Sequence, residues 1–142
     1  MNGNTELLSF VYQNAQMGVE TIDQLKDIAE DTDFKQHLQA QYEEYRMIQD
    51  EAKQLFEKQG VDEKGLNAFE KARTYLMISI QTLTDKSTSH IAEMLTVGST
   101  LGVIQALRSI RKYQHAEAEI LNLMNRLLRL EEQNISQLKR FI

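Results

Sequence analysis

The side chains that could carry chemistry are few and lie far apart along the chain. The 142 residues include three histidines and no cysteine. The lack of cysteine excludes thiol nucleophiles, disulfides, Fe–S clusters and cysteine-type zinc sites. No Gly-rich loop could hold a phosphate, and no Ser, His and Asp combination forms a nucleophile elbow. The candidates that remain are single acidic or histidine residues on predicted helices.

One candidate is a carboxylate, Glu131, within the apolar face of the last predicted helix. At about 100° per residue it falls in the middle of the arc formed by Ile120, Met124, Leu127, Leu128, Ile135 and Leu138. A carboxylate that points into a core must be paired or hydrogen-bonded. Counting residues along neighbouring helices places it near the level of Gln41, Thr96, Ser99 and Thr100. We favour a core carboxylate held by hydroxyls and an amide; a remnant or altered ligand site is the alternative.

A second candidate lies where a polar run, residues 84–89, precedes a predicted helix. Asp85 is within this run, and His90 and Glu93 follow it. These three side chains could bind a small ligand or a metal at one end of a helical bundle. The same pattern is typical of a capped helix start with a local His–Glu ion pair, and we favour this structural interpretation.

The two other histidines have structural interpretations. His37 lies at the edge of the apolar stripe of the second predicted helix, with Gln41 and Glu44 one and two turns further on. We interpret it as a half-buried histidine with satisfied hydrogen bonds. His115 and Glu119 are spaced as an i, i+4 surface pair.

Charge and hydropathy exclude several classes of function. Sixteen Lys and Arg against twenty-one Asp and Glu give a net charge of −5, so no long-range attraction to nucleic acid or anionic membrane is expected. The longest uncharged run, Met94 to Leu107, has fourteen residues, whereas a membrane-spanning helix needs about twenty. The first residues lack the basic and apolar regions of a signal peptide. We therefore predict a cytoplasmic protein that does not span a membrane.

The chain contains no proline, and its apolar residues recur at steps of three and four. This periodicity is typical of helices and leaves no strand pattern. It predicts helices over residues 4–30, 32–59, 66–83, 89–112 and 115–141. Asp31 to Asp33 can cap the second helix, Gly60 suits the left-handed position that ends it, and Ser87 or Ser89 can cap the fourth.

These lengths predict a single all-α domain over residues 1–142. Short links pair the first two and the last two helices as long antiparallel hairpins, and the shorter helix between them serves as a crossover. Two hairpins joined by one long crossover form a ferritin-like four-helix bundle. Gly98, Gly102 and Ala106, spaced by four, would let the crossover helix or a second subunit approach closely.

The run LTDKSTSHIAEML (Leu83 to Leu95), followed by Gly98-Ser99-Thr100 and Gly102, resembles a group of small uncharacterised bacterial helical-bundle proteins related to the ferritin-like superfamily. The similarity includes the opening ELLSFVYQNAQMGVETI and the closing LLRLEEQNISQLKRFI. The resemblance implies a four-helix bundle. In the wider superfamily it also implies a di-iron carboxylate site with oxidase, storage or detoxification roles.

The chain departs from the ligand pattern that this resemblance implies. A di-iron bundle takes one Glu from each of two helices and a Glu-x-x-His pair from each of the other two. No Glu-x-x-His occurs here, because Phe34, Ser87 and Lys112 stand three residues before the histidines.

The residues at the implied ligand positions are mostly not ligands for iron. Glu44 is followed three residues later by Met47, and Glu131 by Asn134. Ser99 stands after Gly98 where a carboxylate would be expected, and the first helix presents Gly18. Glu44, Ser99, Glu131 and Asn134 are therefore predicted to be at most a remnant site.

The sequence thus predicts a helical bundle without a cofactor that works as a non-enzymatic interaction or structural protein, as a homodimer. The alternative is a di-metal oxidase or metal-storage protein that holds iron or manganese at a non-standard site. A third hypothesis is a small-ligand binder that uses the end from Asp85 to Glu93.

Overall fold

The computed structural model describes residues 3–61 and 70–142, and this part of the chain is all-helical, with no strand. Five α-helices follow in order: α1 (Asn4–Leu25), α2 (Thr32–Gln59), α3 (Glu70–Gln81), α4 (Thr88–Lys112) and α5 (Ala118–Leu138), with a final 3-10 turn at Lys139–Phe141. None of the described helices combines the length and the apolarity that crossing a membrane requires. The predicted start of α3 at residue 66 lies outside the described residues.

Local side-chain chemistry sets the ends of α2 and the start of α4. The Asp31 carboxylate accepts a hydrogen bond from the Phe34 backbone N–H at 2.8 Å, and Gly60 ends α2 with a φ of 64°. The Ser87 hydroxyl accepts from the His90 backbone N–H at 3.2 Å. The predicted bounds of α2 are therefore confirmed, and Ser87 rather than Ser89 caps α4.

The predicted helices α1 and α5 extend further than the observed ones. α1 ends at Leu25 and not at residue 30; beyond it the chain makes a turn in which the Ile28 backbone N–H donates to the carbonyl of Leu25, three residues back instead of four. Ala29 is still buried, so the apolar period continues into the core after the helix has ended. α5 begins at Ala118 and not at residue 115, which leaves His115 in the preceding loop.

The His115–Glu119 surface pair is replaced by a contact between helices. Glu119 lies in the first turn of α5, where its carboxylate accepts from Lys58 of α2 at 3.2 Å. This exposed ion pair contributes at most about 1 kcal/mol to stability.

The helices predicted as hairpin partners make the most extensive contacts: α1 packs on α2, and α4 packs on α5. α1 also contacts α5, which joins the two pairs around one core, and α3 packs mainly on α4. The largest fully buried side chains come from α1, α2, α4 and α5: Leu7, Leu8, Phe10, Leu25, Phe34, Leu38, Ile48, Ile91, Met94, Ile120, Met124 and Leu127.

The small residues of α4 do not face a single neighbour. A Cβ on Gly98 would lie 2.9 Å from Cδ2 of Leu76, so this glycine lets α3 approach closely. A Cβ on Gly102 would instead lie 3.7 Å from Asn14 Nδ2 and 3.7 Å from Glu131 Oε2. The expected close approach of the crossover helix is confirmed at Gly98 but does not extend to Gly102, because each four-residue step turns the helix surface by about 40°. α3 covers Gly98, whereas Gly102 faces the interior.

Candidate functional site

A buried polar cluster joins α2, α4 and α5; it consists of Tyr45, Ser99, Glu131 and Asn134. The Tyr45 hydroxyl donates to Oε1 of Glu131, and Asn134 Nδ2 donates to the Tyr45 hydroxyl at 3.1 Å. The Ser99 side chain of α4 completes the group, and its hydroxyl lowers the pKa of both Tyr45 and Glu131. Tyr45, Glu131 and Asn134 are each no more than 6% exposed. This polar cluster is the only place in the described chain where a buried carboxylate occurs.

Helical spacing and one glycine put these side chains together. Tyr45 belongs to the inward face of α2, and Glu131 and Asn134 are one turn apart on the inward face of α5. Opposite Tyr45, α1 presents Gly18, where a Cβ would lie 2.6 Å from Cγ of the tyrosine ring. No side chain larger than hydrogen fits there without moving the ring.

Burial controls the protonation of the polar cluster. It raises the pKa of Glu131 from 4.5 to about 7, although hydrogen bonds from Tyr45 and Ser99 oppose this rise. Burial, and then the neighbouring Glu131 charge, raise the pKa of Tyr45 well above 10. The phenol therefore stays protonated as a donor, while Glu131 is divided between its charged and neutral forms near pH 7.

A small cavity adjoins the polar cluster. It has a volume of about 30 Å³, and its lining includes Asn14, Gln41, Glu131 and Leu76 of α3. This space suits one or two waters rather than an organic cofactor. Asn14 Nδ2 is buried and has no hydrogen-bond partner among the described residues.

The predicted remnant site does not assemble as a unit. Ser99, Glu131 and Asn134 lie together, but Glu44 is exposed on the outer face of α2, and Met47 is 53% exposed on the same side. The expected grouping of Glu44 with Glu131 does not form. The neighbouring residue, Tyr45, takes the inward position, and one residue along a helix is a rotation of about 100°.

The donor set around Glu131 does not fit the di-iron centre that the resemblance implies. Such a centre needs four carboxylates and two imidazoles, whereas Glu131 is surrounded by a phenol, a hydroxyl and an amide. Within residues 3–61 and 70–142, no three His, Asp or Glu side chains are grouped so that they could share a metal ion.

Sequence reasoning identified some neighbours of Glu131 and missed others. Ser99 is a partner as expected, and Gln41 lines the same cavity. The Thr96 and Thr100 hydroxyls instead donate to carbonyls of their own helix at 2.8 Å. Tyr45 is the neighbour that sequence reasoning missed; the signal available in the sequence was a tyrosine on the apolar face of the second helix, whose hydroxyl must find a partner when it is buried.

His37 is buried in an aromatic setting near the start of α2. Its ring centroid lies 6.5 Å from that of Phe34 and 5.5 Å from that of Phe141, and its Nε2 is 2.7 Å from the Gln41 amide nitrogen. Burial, and then the charge of Arg140, lower the pKa of His37 below 6.5. The neutral ring with Nε2 as acceptor satisfies this contact.

The end formed by Asp85, His90 and Glu93 has the contacts of a helix start. Asp85 Oδ1 accepts from the Ser87 backbone N–H at 3.0 Å, and this bond lowers the pKa of the Asp85 carboxyl. His90 Nδ1 lies 3.9 Å from Glu93 Oε2, with both side chains more than 40% exposed. These residues form a capped N-terminus on the surface.

Comparison of the chain with protein-family models, curated proteins and solved structures finds no match. The contacts described above are therefore the basis for assigning a function.

Proposed function

We propose that this chain is a non-enzymatic bundle of the ferritin-like type that has no di-metal centre and works through its surface as an interaction or structural protein. The observation that carries this proposal is the surroundings of Glu131. Its neighbours are uncharged hydrogen-bonding groups, while the second acidic residue of the implied ligand set, Glu44, faces solvent.

The helix arrangement supports the ferritin-like part of the proposal. α1, α2, α4 and α5 have 22, 28, 25 and 21 residues, and they contact one another in the pairs α1–α2 and α4–α5. The shorter α3 lies between these pairs along the chain and packs mainly on α4. Two long pairs with one long connection are the pattern of ferritin-like bundles.

The polar cluster has a structural role in this proposal. Tyr45, Ser99 and Glu131 connect three helices through directional hydrogen bonds, which an apolar core does not provide. Buried polar groups of this kind cost stability but favour one register of the helices over others.

Metal analysis of the full chain, purified without chelator, tests the proposal. We expect no stoichiometric iron or manganese, no oxidation of added Fe²⁺, and the same result for Glu131→Gln. The exposed neighbour Glu132→Gln serves as the matched control. Tight binding of one or two metal ions per chain, lost in Glu131→Gln but kept in Glu132→Gln, would establish the di-metal alternative instead.

A further inference from the structure

The outer face of α4 carries a seam of exposed residues spaced alternately by three and four: His90, Glu93, Val97, Thr100, Ile104, Leu107 and Arg111. Val97 is 37% exposed, Ile104 41% and Leu107 45%. This spacing is that of a coiled-coil seam. We call these seven residues the α4 seam.

The α4 seam lies away from the packed sides of its helix. Gly98 faces α3, and Gly102 faces Asn14 and Glu131 in the interior. At about 100° per residue, the α4 seam is centred about 130° from Gly98 and farther still from Gly102. Two further apolar side chains, Met77 and Ile78 of α3, are 49% and 54% exposed and directly follow Leu76, which packs on Gly98.

Opposite charges occupy the two ends of the α4 seam. Glu93 lies near its start and Arg111 at its end, 18 residues or about 27 Å apart, with the large apolar residues between them. The midpoint of this pair is residue 102. A two-fold axis at that level would place Glu93 opposite Arg111 of a second copy, and Val97 opposite its Leu107.

We propose that the α4 seam is the interface of a homodimer in which two copies of α4 pack antiparallel. This inference deepens the proposed surface function and rests on it. A surface whose two halves match each other under a two-fold axis is the requirement for an isologous dimer. A parallel pair would instead bring Glu93 against Glu93 and Arg111 against Arg111, and both contacts are repulsive.

The size of the α4 seam indicates a reversible dimer. One helix pair with three large apolar residues per copy lies at the low end of specific interfaces. The ion pairs are exposed, since the Glu93 side chain is 65% exposed, so they select the antiparallel orientation more than they add affinity. Dimerisation should therefore depend on protein concentration.

Sedimentation of the full chain over a range of concentrations gives the first test. We expect a monomer–dimer equilibrium for the wild type and a monomer for Ile104→Asp, with unchanged helical circular dichroism. Met47→Asp, an equivalent change at an exposed position of α2, should dimerise like the wild type. A wild type that stays monomeric throughout, or an Ile104→Asp variant that still dimerises, would overturn the proposal.

Charge exchange tests the antiparallel register. Glu93→Arg and Arg111→Glu should each weaken self-association by roughly tenfold or more, because each creates two like-charge contacts per dimer. The variant that carries both changes should regain self-association, and an equimolar mixture of the two single variants should form heterodimers. Single variants that dimerise normally, or a double variant that does not recover, would contradict this interface.

Metal analysis of the same samples separates this inference from the proposed function. A metal-free monomer would overturn the dimer and leave the non-enzymatic assignment standing. A dimer that holds a di-metal centre would support the proposed interface and overturn the non-enzymatic assignment.

Discussion

The Tyr45 hydroxyl of α2 donates a buried hydrogen bond to the Glu131 carboxylate of α5, although the two residues are 86 positions apart in the chain. The contact joins a helix of the first pair to a helix of the second. It exists because Gly18 of α1 leaves room for the tyrosine ring. A residue without a side chain thus controls the surroundings of the one buried carboxylate among the described residues.

Replacement of Gly18 and of Gly102 by alanine should have different effects on stability. Gly18→Ala should lower the free energy of unfolding by about 1–3 kcal/mol, because its Cβ would lie 2.6 Å from the Tyr45 ring. Gly102→Ala should be neutral or raise it by up to about 1 kcal/mol, because the nearest atoms are 3.7 Å away and alanine favours the helix. Urea denaturation measures both changes. A destabilised Gly102→Ala would show that the space beside Glu131 is smaller than described.

The stability of the fold should decrease as Glu131 loses its proton. Burial raises the pKa of this carboxyl from 4.5 to about 7, so between these values the folded chain binds a proton that the unfolded chain has released. The resulting loss of stability begins as the pH rises above 4.5 and is complete above 7. It amounts to about 3 kcal/mol.

Glu131→Gln should therefore be more stable than the wild type at pH 8, and this advantage should shrink towards pH 5. Denaturation of both proteins at several pH values measures the difference, with Glu132→Gln as the control at an exposed position. A difference that does not change with pH would mean that Glu131 keeps an ordinary pKa.

His37 should make the fold less stable as the pH falls, which is the opposite of the effect of Glu131. Burial and Arg140 lower its pKa below 6.5, so the unfolded chain takes up a proton before the folded chain does. Its contribution to stability is present above about pH 6.5, begins to be lost below that value and is lost completely once the pH has fallen through the lowered pKa of the folded chain. His37→Gln should remove this part of the pH dependence, whereas His115→Gln, at an exposed loop position, should retain it.

Leu127 tests the position of the core. It is 0% exposed on α5, and Leu127→Ala should lower the free energy of unfolding by about 2–5 kcal/mol. Leu128→Ala, next to it and only partly buried, should cost less. Equal effects in thermal or urea denaturation would contradict the inward face assigned to α5.

The sequence by itself determined the helical class and the bounds of α2, and it limited the cap of α4 to Ser87 or Ser89. Asp31, Gly60 and Ser87 act on backbone groups within three or four residues of themselves, so their effect can be deduced without the rest of the fold. The inward position of Glu131 also followed from helical periodicity alone. The end of α1 could not be deduced in this way, because Ala29 continues the apolar pattern after the helix has ended at Leu25.

Only the tertiary structure decided which groups meet. Glu44 and Tyr45 are neighbours in sequence, yet one faces solvent and the other donates to Glu131. Gly98 and Gly102 are one turn apart, yet one admits α3 and the other borders the polar cluster. Periodicity gives the direction of a side chain on its own helix, but the rotation, register and separation of two helices depend on all the side chains packed between them.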